Sequence, residues 1–279
     1  MKSYFITGGS GSLGRAITRK LLLDNDNRII IYSRDEGKHA LYFSNLKNVK
    51  TIIGDVRDEE RLNFSIKTSE PDFIIHAAAL KRLDDIEISP IEAIKTNIEG
   101  THNVAKTALQ NNIKKCILVS TDKAPAAANV YGSTKFISER IFTNFSYFSN
   151  NTIFSSVRYG NVIASRGSFI PMWINLIKKG NSINVTSMNC TRFLFTLSDA
   201  VETVLNSLEI SEGGEVFVPR MNSYSMKDII ETLKTIVEVS KVDINIIGLR
   251  PGEKIHEDML VNTELPLARK TKYENLIAI

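Results

Sequence analysis

An apolar run at residues 4–7 gives way to Thr7-Gly8-Gly9-Ser10-Gly11-Ser12-Leu13-Gly14 and then to a helical pattern over residues 12–23. No other feature narrows the possible folds as much. Gly8, Gly11 and Gly14 recur at every third position across a strand-to-helix junction. The first permits a tight turn, and the second lets backbone N–H groups approach a pyrophosphate at the helix N-terminus. The third lets helix and strand pack closely. Glycine triplets are common in ordinary turns. At the first junction of a βαβ pattern, however, Thr7, Gly8, Ser10, Gly11, Ser12, Leu13 and Gly14 read as a dinucleotide-binding turn.

That pattern continues. Short runs rich in Ile, Val and Phe at residues 4–7, 28–32, 49–53, 73–76, 116–120 and 153–158 read as strands buried on both faces. Helical patterns at 12–23, 59–68, about 91–110 and 131–148 lie between them. The predicted fold class is α/β, a Rossmann-like doubly wound parallel sheet. After residue 165 the rhythm changes. Gly167, Gly180, Gly213-Gly214 and Pro251-Gly252 punctuate shorter elements, among them a strand at 215–218 and a helix at 226–239. Residues 1–165 are expected to form the cofactor domain. Residues 166–279 are expected to form a smaller substrate-binding region over its ligand edge, lending elements back to the first domain.

Composition removes several function classes. A net charge of +4, with Lys and Arg scattered, offers no basic stripe for nucleic acid. No apolar run approaches the roughly 20 residues of a membrane helix. The N-terminus runs straight into a strand pattern with no leader, so a cytoplasmic setting is expected. Cys116 and Cys190 lack metal-ligand spacing and are expected to be reduced, and His76, His102 and His256 suggest no metal.

The second strand ends in Ser33-Arg34-Asp35. An NAD site places an acid at this tip for the ribose 2′-hydroxyl, whereas a guanidinium suits a 2′-phosphate. Ser33, Arg34 and Lys38 therefore favour NADP, with Asp35 on the ribose of NAD as the alternative. Asp55-Val56 is placed to meet the adenine, although Asp55 is equally placed to cap the helix at 59–68. Ala77, Ala78 and Ala79 offer small side chains where backbone approaches the cofactor.

Tyr131 and Lys135 share one face at the start of a helix. A nearby ammonium and a positive nicotinamide ring would lower the phenol's pKa, letting it exchange a proton as hydride moves. The spacing alone is a weak signal. It follows a strand tip, however, carrying Ser120-Thr121-Asp122-Lys123, and strand carboxyl ends are where open α/β sheets bind ligands. A hydroxyl, an acid and an amine at that point are hard to explain as packing.

With TGGSGSLG, YSRDE, GDVRD, HAAALK, KTNIEGTHNV, STDKA, YGSTK, RYGNVIASRGS, TRF and RPGEKIHE in order from Ile6 to about Leu260, the chain resembles the inverting UDP-N-acetylglucosamine 4,6-dehydratases. These are extended short-chain dehydrogenase/reductases of polysaccharide biosynthesis. The resemblance implies an NADP-dependent hydro-lyase acting on a UDP-sugar, UDP-N-acetylglucosamine above all. Tyr131, assisted by Lys135, takes the 4-hydroxyl proton. Lys123 is the candidate base at C5 and Asp122 the candidate acid at the C6 hydroxyl, two roles open to exchange. The resemblance further implies cofactor contacts from Lys81, Asn97 and Tyr159. Substrate contacts are implied from Lys81, Thr121, Asn161, Arg166, Arg192, Arg250 and Glu253. Pro125-Ala126-Ala127-Ala128 departs from an Asn-Pro segment usual in relatives, which bears on the loop. Relatives often run on past RPGEKIHE, and an element lost there would bear on assembly or a substrate lid.

The helix from Tyr131 is apolar on two sides, with Ile137, Ile141, Phe142, Phe145 and Phe148 on one and Phe136 and Tyr147 on the other. Since extended members of this superfamily pair through this helix, a homo-oligomer, at least a dimer, is expected. Two rival functions stand beside the dehydratase. A UDP-hexosamine 4-epimerase needs Tyr131 and Lys135 but no C5 base, and a non-catalytic NADP-binding regulator needs neither pair.

Overall fold

The structure is a computed structural model that describes residues 1–163, 165 and 167–279. Six strands carry the first half: β1 (Ser3–Thr7), β2 (Arg28–Ser33), β3 (Val49–Ile53), β4 (Phe73–His76), β5 (Lys115–Val119) and β6 (Ile153–Val157). They are parallel and stand in the order β3-β2-β1-β4-β5-β6. This is the doubly wound arrangement, with its switch point between β1 and β4.

Helices α1 (Ser12–Leu21), α2 (Glu36–Phe43), α3 (Glu59–Ser69), α4 (Leu83–Ile88), α5 (Pro90–Ala93), α6 (Gly100–Gln110) and α7 (Val130–Phe148) connect these strands. Alternation within the strands divides the core between the two sheet faces. Ile6, Ile31, Ile75 and Ile117 meet Ile17 and Leu21 of α1 on one face. Phe5, Ile30, Ile74 and Leu118 meet Leu62, Val104 and Phe142, from α3, α6 and α7, on the other.

The remaining elements are β7 (Asn161–Val162), α8 (Phe169–Lys178), β8 (Ile183–Val185), β9 (Thr191–Phe195), α9 (Leu197–Ile210), β10 (Val216–Pro219), β11 (Ser223–Ser225), α10 (Met226–Val237), β12 (Ile244–Ile246), β13 (Arg269–Lys270) and β14 (Leu276–Ala278). Strand β10 joins the main sheet parallel to β6, and β14 and β13 extend it antiparallel. The second half builds a separate core around Ile170, Trp173, Ile183, Met226, Ile230 and Leu233.

Two sequence expectations change. The helix read over 91–110 is three pieces, because a π-helical turn, Ile94–Glu99, separates α5 from α6. On α7, Phe142 is buried and Ile141 and Phe145 pack against the core, but Ile137 and Phe148 lie exposed, as do Phe136 and Tyr147. The face expected to be apolar and covered is therefore covered only in part.

Both cysteines are buried and free. Among the described residues no helix is long and apolar enough to cross a membrane, and no cluster of His, Cys, Asp and Glu suits a metal.

Candidate active site

Strand register sets the site. Thr7 pairs with Tyr32 and His76, His76 with Leu118, and Leu118 with Ser156. The residues that follow in each strand emerge together at one carboxyl edge. There they line a cleft of about 690 Å³. A hollow of similar volume, about 700 Å³, lies between α8, α9 and α10, but no residue of the glycine turn or of Thr121–Lys123 reaches it.

The glycine turn forms one end of the cleft. Gly8 has φ +66°, and a Cβ there would stand 2.8 Å from the Ala78 backbone. A Cβ on Gly14 would stand 2.5 Å from Gly9. Both positions exclude a side chain, the first through conformation and closeness, the second through helix-to-turn contact. Gly8, Ser10, Gly11, Ser12, Leu13, Gly14, Ala77, Ala78 and Ala79 all face the cleft. Thr7 does not. Its hydroxyl is buried, 2.7 Å from His76 Nδ1, and accepts from the Ala78 N–H at 3.3 Å, so it braces the turn from behind.

At the tip of β2, Ser33 donates to Ser10 Oγ at 2.9 Å and lies 2.6 Å from His39 Nε2. Arg34 and Lys38 line the cleft. Asp35 caps α2, accepting from the Lys38 N–H, and pairs with the Lys38 ammonium. Asp55 lies 3.6 Å from Arg34 and 2.7 Å from Arg57. Partial burial works against its ionisation, but Arg57 and Arg34 outweigh this and hold its carboxyl below the ordinary range. The cap of α3 is Asp58 rather than Asp55. Asp55 and Val56 instead line the cleft.

At the other end, Thr121, Asp122, Lys123, Tyr131 and Lys135 converge on the same cleft, beside Tyr159 and Asn161. Asn129 caps α7 by accepting from the Gly132 N–H, which starts the helix one residue before Tyr131. Thr121 donates to Asp122 Oδ1 at 3.0 Å and shares a hydrogen bond with the Tyr131 phenol. The Lys123 ammonium lies 2.9 Å from Asp122 Oδ1 and 3.3 Å from Glu257. Burial would lower Lys123, but the two carboxylates outweigh it and hold the group above its ordinary range. Burial lowers Lys135 to about 8, with Glu139 opposing. The phenol of Tyr131 is raised by burial, and the protein cation acting against this is Lys123, not the Lys135 expected from the spacing.

Four buried side-chain oxygens of cleft residues have no partner among the described atoms: Thr96 Oγ1, Asp122 Oδ2, Asn161 Oδ1 and Ser168 Oγ. Orphaned acceptors of this kind are costly unless a ligand supplies the missing donor.

Besides Thr7, three expected contacts take other positions. Asn97 is fully buried, with its amide spent on both backbone groups of Leu80 and on Thr134. It clamps the loop after β4 to α7 and lies behind the cleft wall. Arg192 and Glu253 are both expected among the substrate contacts. They pair with each other at 2.6 Å, and Arg192 also donates to the carbonyls of Thr191, Lys254 and Ile255. Lys81 and Arg250 do line the cleft, Arg250 at 3.2 Å from Asp84. Arg166 lies outside the described residues. The residue that sequence reasoning missed is Glu257, at the end of the RPGEKIHE stretch, where the only signal was one more acid in a matched motif.

The fold and cleft together define a Rossmann-type α/β protein with a Tyr/Lys pair and a Thr-Asp-Lys tip facing a glycine-rich turn. The chain belongs to the polysaccharide biosynthesis protein family, which matches residues 4–279. A Campylobacter jejuni protein named UDP-N-acetylglucosamine 4,6-dehydratase (inverting) is 42% identical, the alignment covering 100% of this chain and 82% of that protein. A Rickettsia massiliae protein named UDP-glucose 4-epimerase is 37% identical over 96% of this chain and 80% of its own length. The solved structure of Pen from Bacillus thuringiensis is 34% identical, with a TM-score of 0.93, covering 100% of this chain and 89% of that one.

Proposed function

We propose that the protein is a UDP-N-acetylglucosamine 4,6-dehydratase that inverts C5, forming a UDP-2-acetamido-2,6-dideoxy-L-arabino-hex-4-ulose. The observation that carries this reading is the Asp122–Lys123 pair, buried in the cleft wall beside Tyr131. A 4-epimerase has no use for a second acid–amine pair next to its phenol. The identity to the C. jejuni dehydratase supports the same reading.

The glycine turn that lines the cleft at the start of α1, Gly8 to Gly14, fits a dinucleotide pyrophosphate. Gly8, Ser10, Gly11, Ser12, Arg34 and Val56 would hold a nicotinamide dinucleotide, which would supply the hydride acceptor for C4 and the hydride donor for C6. The protein handles the protons. Tyr131, assisted by Lys135, takes the proton of the 4-hydroxyl, with Thr121 holding the oxygen. The resulting ketone acidifies C5–H, and Lys123 removes that proton. Asp122 supplies one to the departing C6 hydroxyl, so water leaves. C5 is then protonated from the opposite face. Arg250 and Lys81 are assigned to the sugar diphosphate, and Asn161, whose buried amide oxygen lacks a donor, to a sugar hydroxyl.

NADP is the cofactor we assign. Arg34 lines the cleft with its side chain 58% exposed, 3.6 Å from Asp55, while Asp35 caps α2. Replacing Arg34 with Ala removes a charge-assisted bond of about 1.5–3 kcal/mol. The expected loss in NADP affinity is about tenfold or more, with NAD affinity little changed. Equal losses for both cofactors, measured by fluorescence titration, would remove Arg34 from this role.

The activity itself is tested by mass spectrometry of UDP-N-acetylglucosamine incubated with protein and NADP. Loss of one water is expected. A product of unchanged mass would favour 4-epimerisation, and no turnover of any UDP-sugar would favour the non-catalytic rival.

A further inference from the structure

Lys123 has a second carboxylate that the mechanism above leaves unused. Glu257 is buried, at 8% exposure, and does not line the cleft. It stands behind Lys123, its Oε1 3.3 Å from the ammonium, while Asp122 holds the same ammonium at 2.9 Å.

The segment that carries Glu257 is stapled on both sides by buried arginines. Upstream, Arg192 of β9 donates to the carbonyls of Lys254 and Ile255 and pairs with Glu253. Downstream, Arg158, next to the end of β6, donates to the Met259 carbonyl at 3.2 Å and to both oxygens of Glu264 at 2.8 Å. Neither arginine lines the cleft. Their shared effect is to fix one acid against the back of one amine. A carboxylate buried in this way is costly unless it is paired. Burial accordingly raises Glu257, with Lys123 and Arg192 acting against it.

We propose that Glu257 is a positioning residue for the proton transfers at C5, holding the Lys123 side chain against Asp122 from behind the cleft wall and governing its charge. The proposal rests on the reading of Lys123 as the C5 base. A base must be neutral to accept a proton, so a carboxylate that favours the ammonium raises the pH at which the amine becomes available.

The other groups facing this centre are Asp122, Tyr131 and Arg192, the last already paired with Glu253. His256 turns to Thr191, and the Lys254 ammonium turns to the Pro125 carbonyl and Asp258. Of these neighbours, only Asp122 and Glu257 favour the charged amine.

Glu257→Gln keeps an oxygen for Lys123 and removes the charge. The readout is the pH dependence of kcat and of deuterium wash-in at C5 in D₂O. The limb governed by Lys123 should move to lower pH by about one to three units, with KM scarcely changed. Glu257→Ala, which also removes the contact, should lower kcat at every pH. A Glu257→Gln profile that superimposes on the parent's overturns the proposal.

A second measurement does not depend on the assigned reaction. In ¹³C-lysine-labelled protein, the Lys123 signal is identified by its disappearance in Lys123→Arg, and its titration midpoint should fall in Glu257→Gln. An unmoved midpoint overturns the proposal even if the parent turns over. A moved midpoint in a protein inactive on all UDP-sugars would instead sink the dehydratase reading alone.

Discussion

Lys123→Ala is expected to make no dehydrated sugar while still drawing reduced cofactor from the substrate. Lys123 sits at the tip of β5, separated from the glycine turn by the breadth of the cleft, so cofactor affinity should hold. Tyr131 and Lys135 remain on α7, so oxidation at C4 should persist, slowed by the loss of the Lys123 charge that opposes burial of the phenol. Elimination needs a base at C5, and general acid–base groups contribute about 10²–10⁴-fold. Absorbance at 340 nm should therefore rise on adding UDP-N-acetylglucosamine and stay up, whereas the parent returns to baseline. The substitution also leaves Asp122 and Glu257 without their shared cation, so Lys123→Gln, which retains a donor, serves as the folding control. Near-parental dehydration by either variant would take Lys123 out of the mechanism.

Arg158→Ala should destabilise the protein by about 3–5 kcal/mol, the loss typical when one member of a buried ion pair is removed. The guanidinium is fully buried between Glu139 and Glu264, both within 2.8 Å, and Glu139 is itself fully buried. Glu139 also accepts from Ser120 at 2.5 Å, so this one group ties β5, β6, α7 and the 259–264 segment together. Against a total stability of about 5–15 kcal/mol the loss is large. The thermal midpoint should fall by roughly 10 °C. Adding Glu139→Gln and Glu264→Gln removes the unpaired charges and should recover part of the loss. A midpoint within a degree or two of the parent's would show that the network contributes little.

The sequence was most informative where function is carried by a local pattern. Strand, glycine turn and helix are contiguous, so Gly8 through Gly14 could be read from spacing. The same holds for Tyr131 and Lys135, one helical turn apart, and for Asp122-Lys123 at a strand tip. Pairing between distant segments left no such mark. Arg192 and Glu253 are 61 positions apart in the chain, and each looks like a free ligand until the fold brings them together. Thr7 and Asn97 lie next to cleft residues in the chain, but strand alternation and the π turn aim them into the wall. Glu257 was hidden for the same reason, since its partner Lys123 lies on a strand tip in the other half of the chain.

One departure within the matched motifs has a structural counterpart. In Pro125-Ala126-Ala127-Ala128, Ala126 adopts φ +45°, a left-handed conformation that residues with a Cβ seldom take. The loop nonetheless hands the chain on to Asn129, which both caps α7 and donates to the Gly252 carbonyl. The Tyr131 helix therefore starts from a position fixed by the RPGEKIHE segment, whatever the residues between.

In the proposed reaction hydride leaves C4 and returns to C6 of the same sugar while Lys123 works at C5. UDP-N-acetylglucosamine carrying deuterium at C4, turned over with NADP in ordinary water, tests this directly by NMR. The label should appear at C6 of a 4-keto product with inverted C5. Deuterium still on C4 of a sugar of unchanged formula would contradict it.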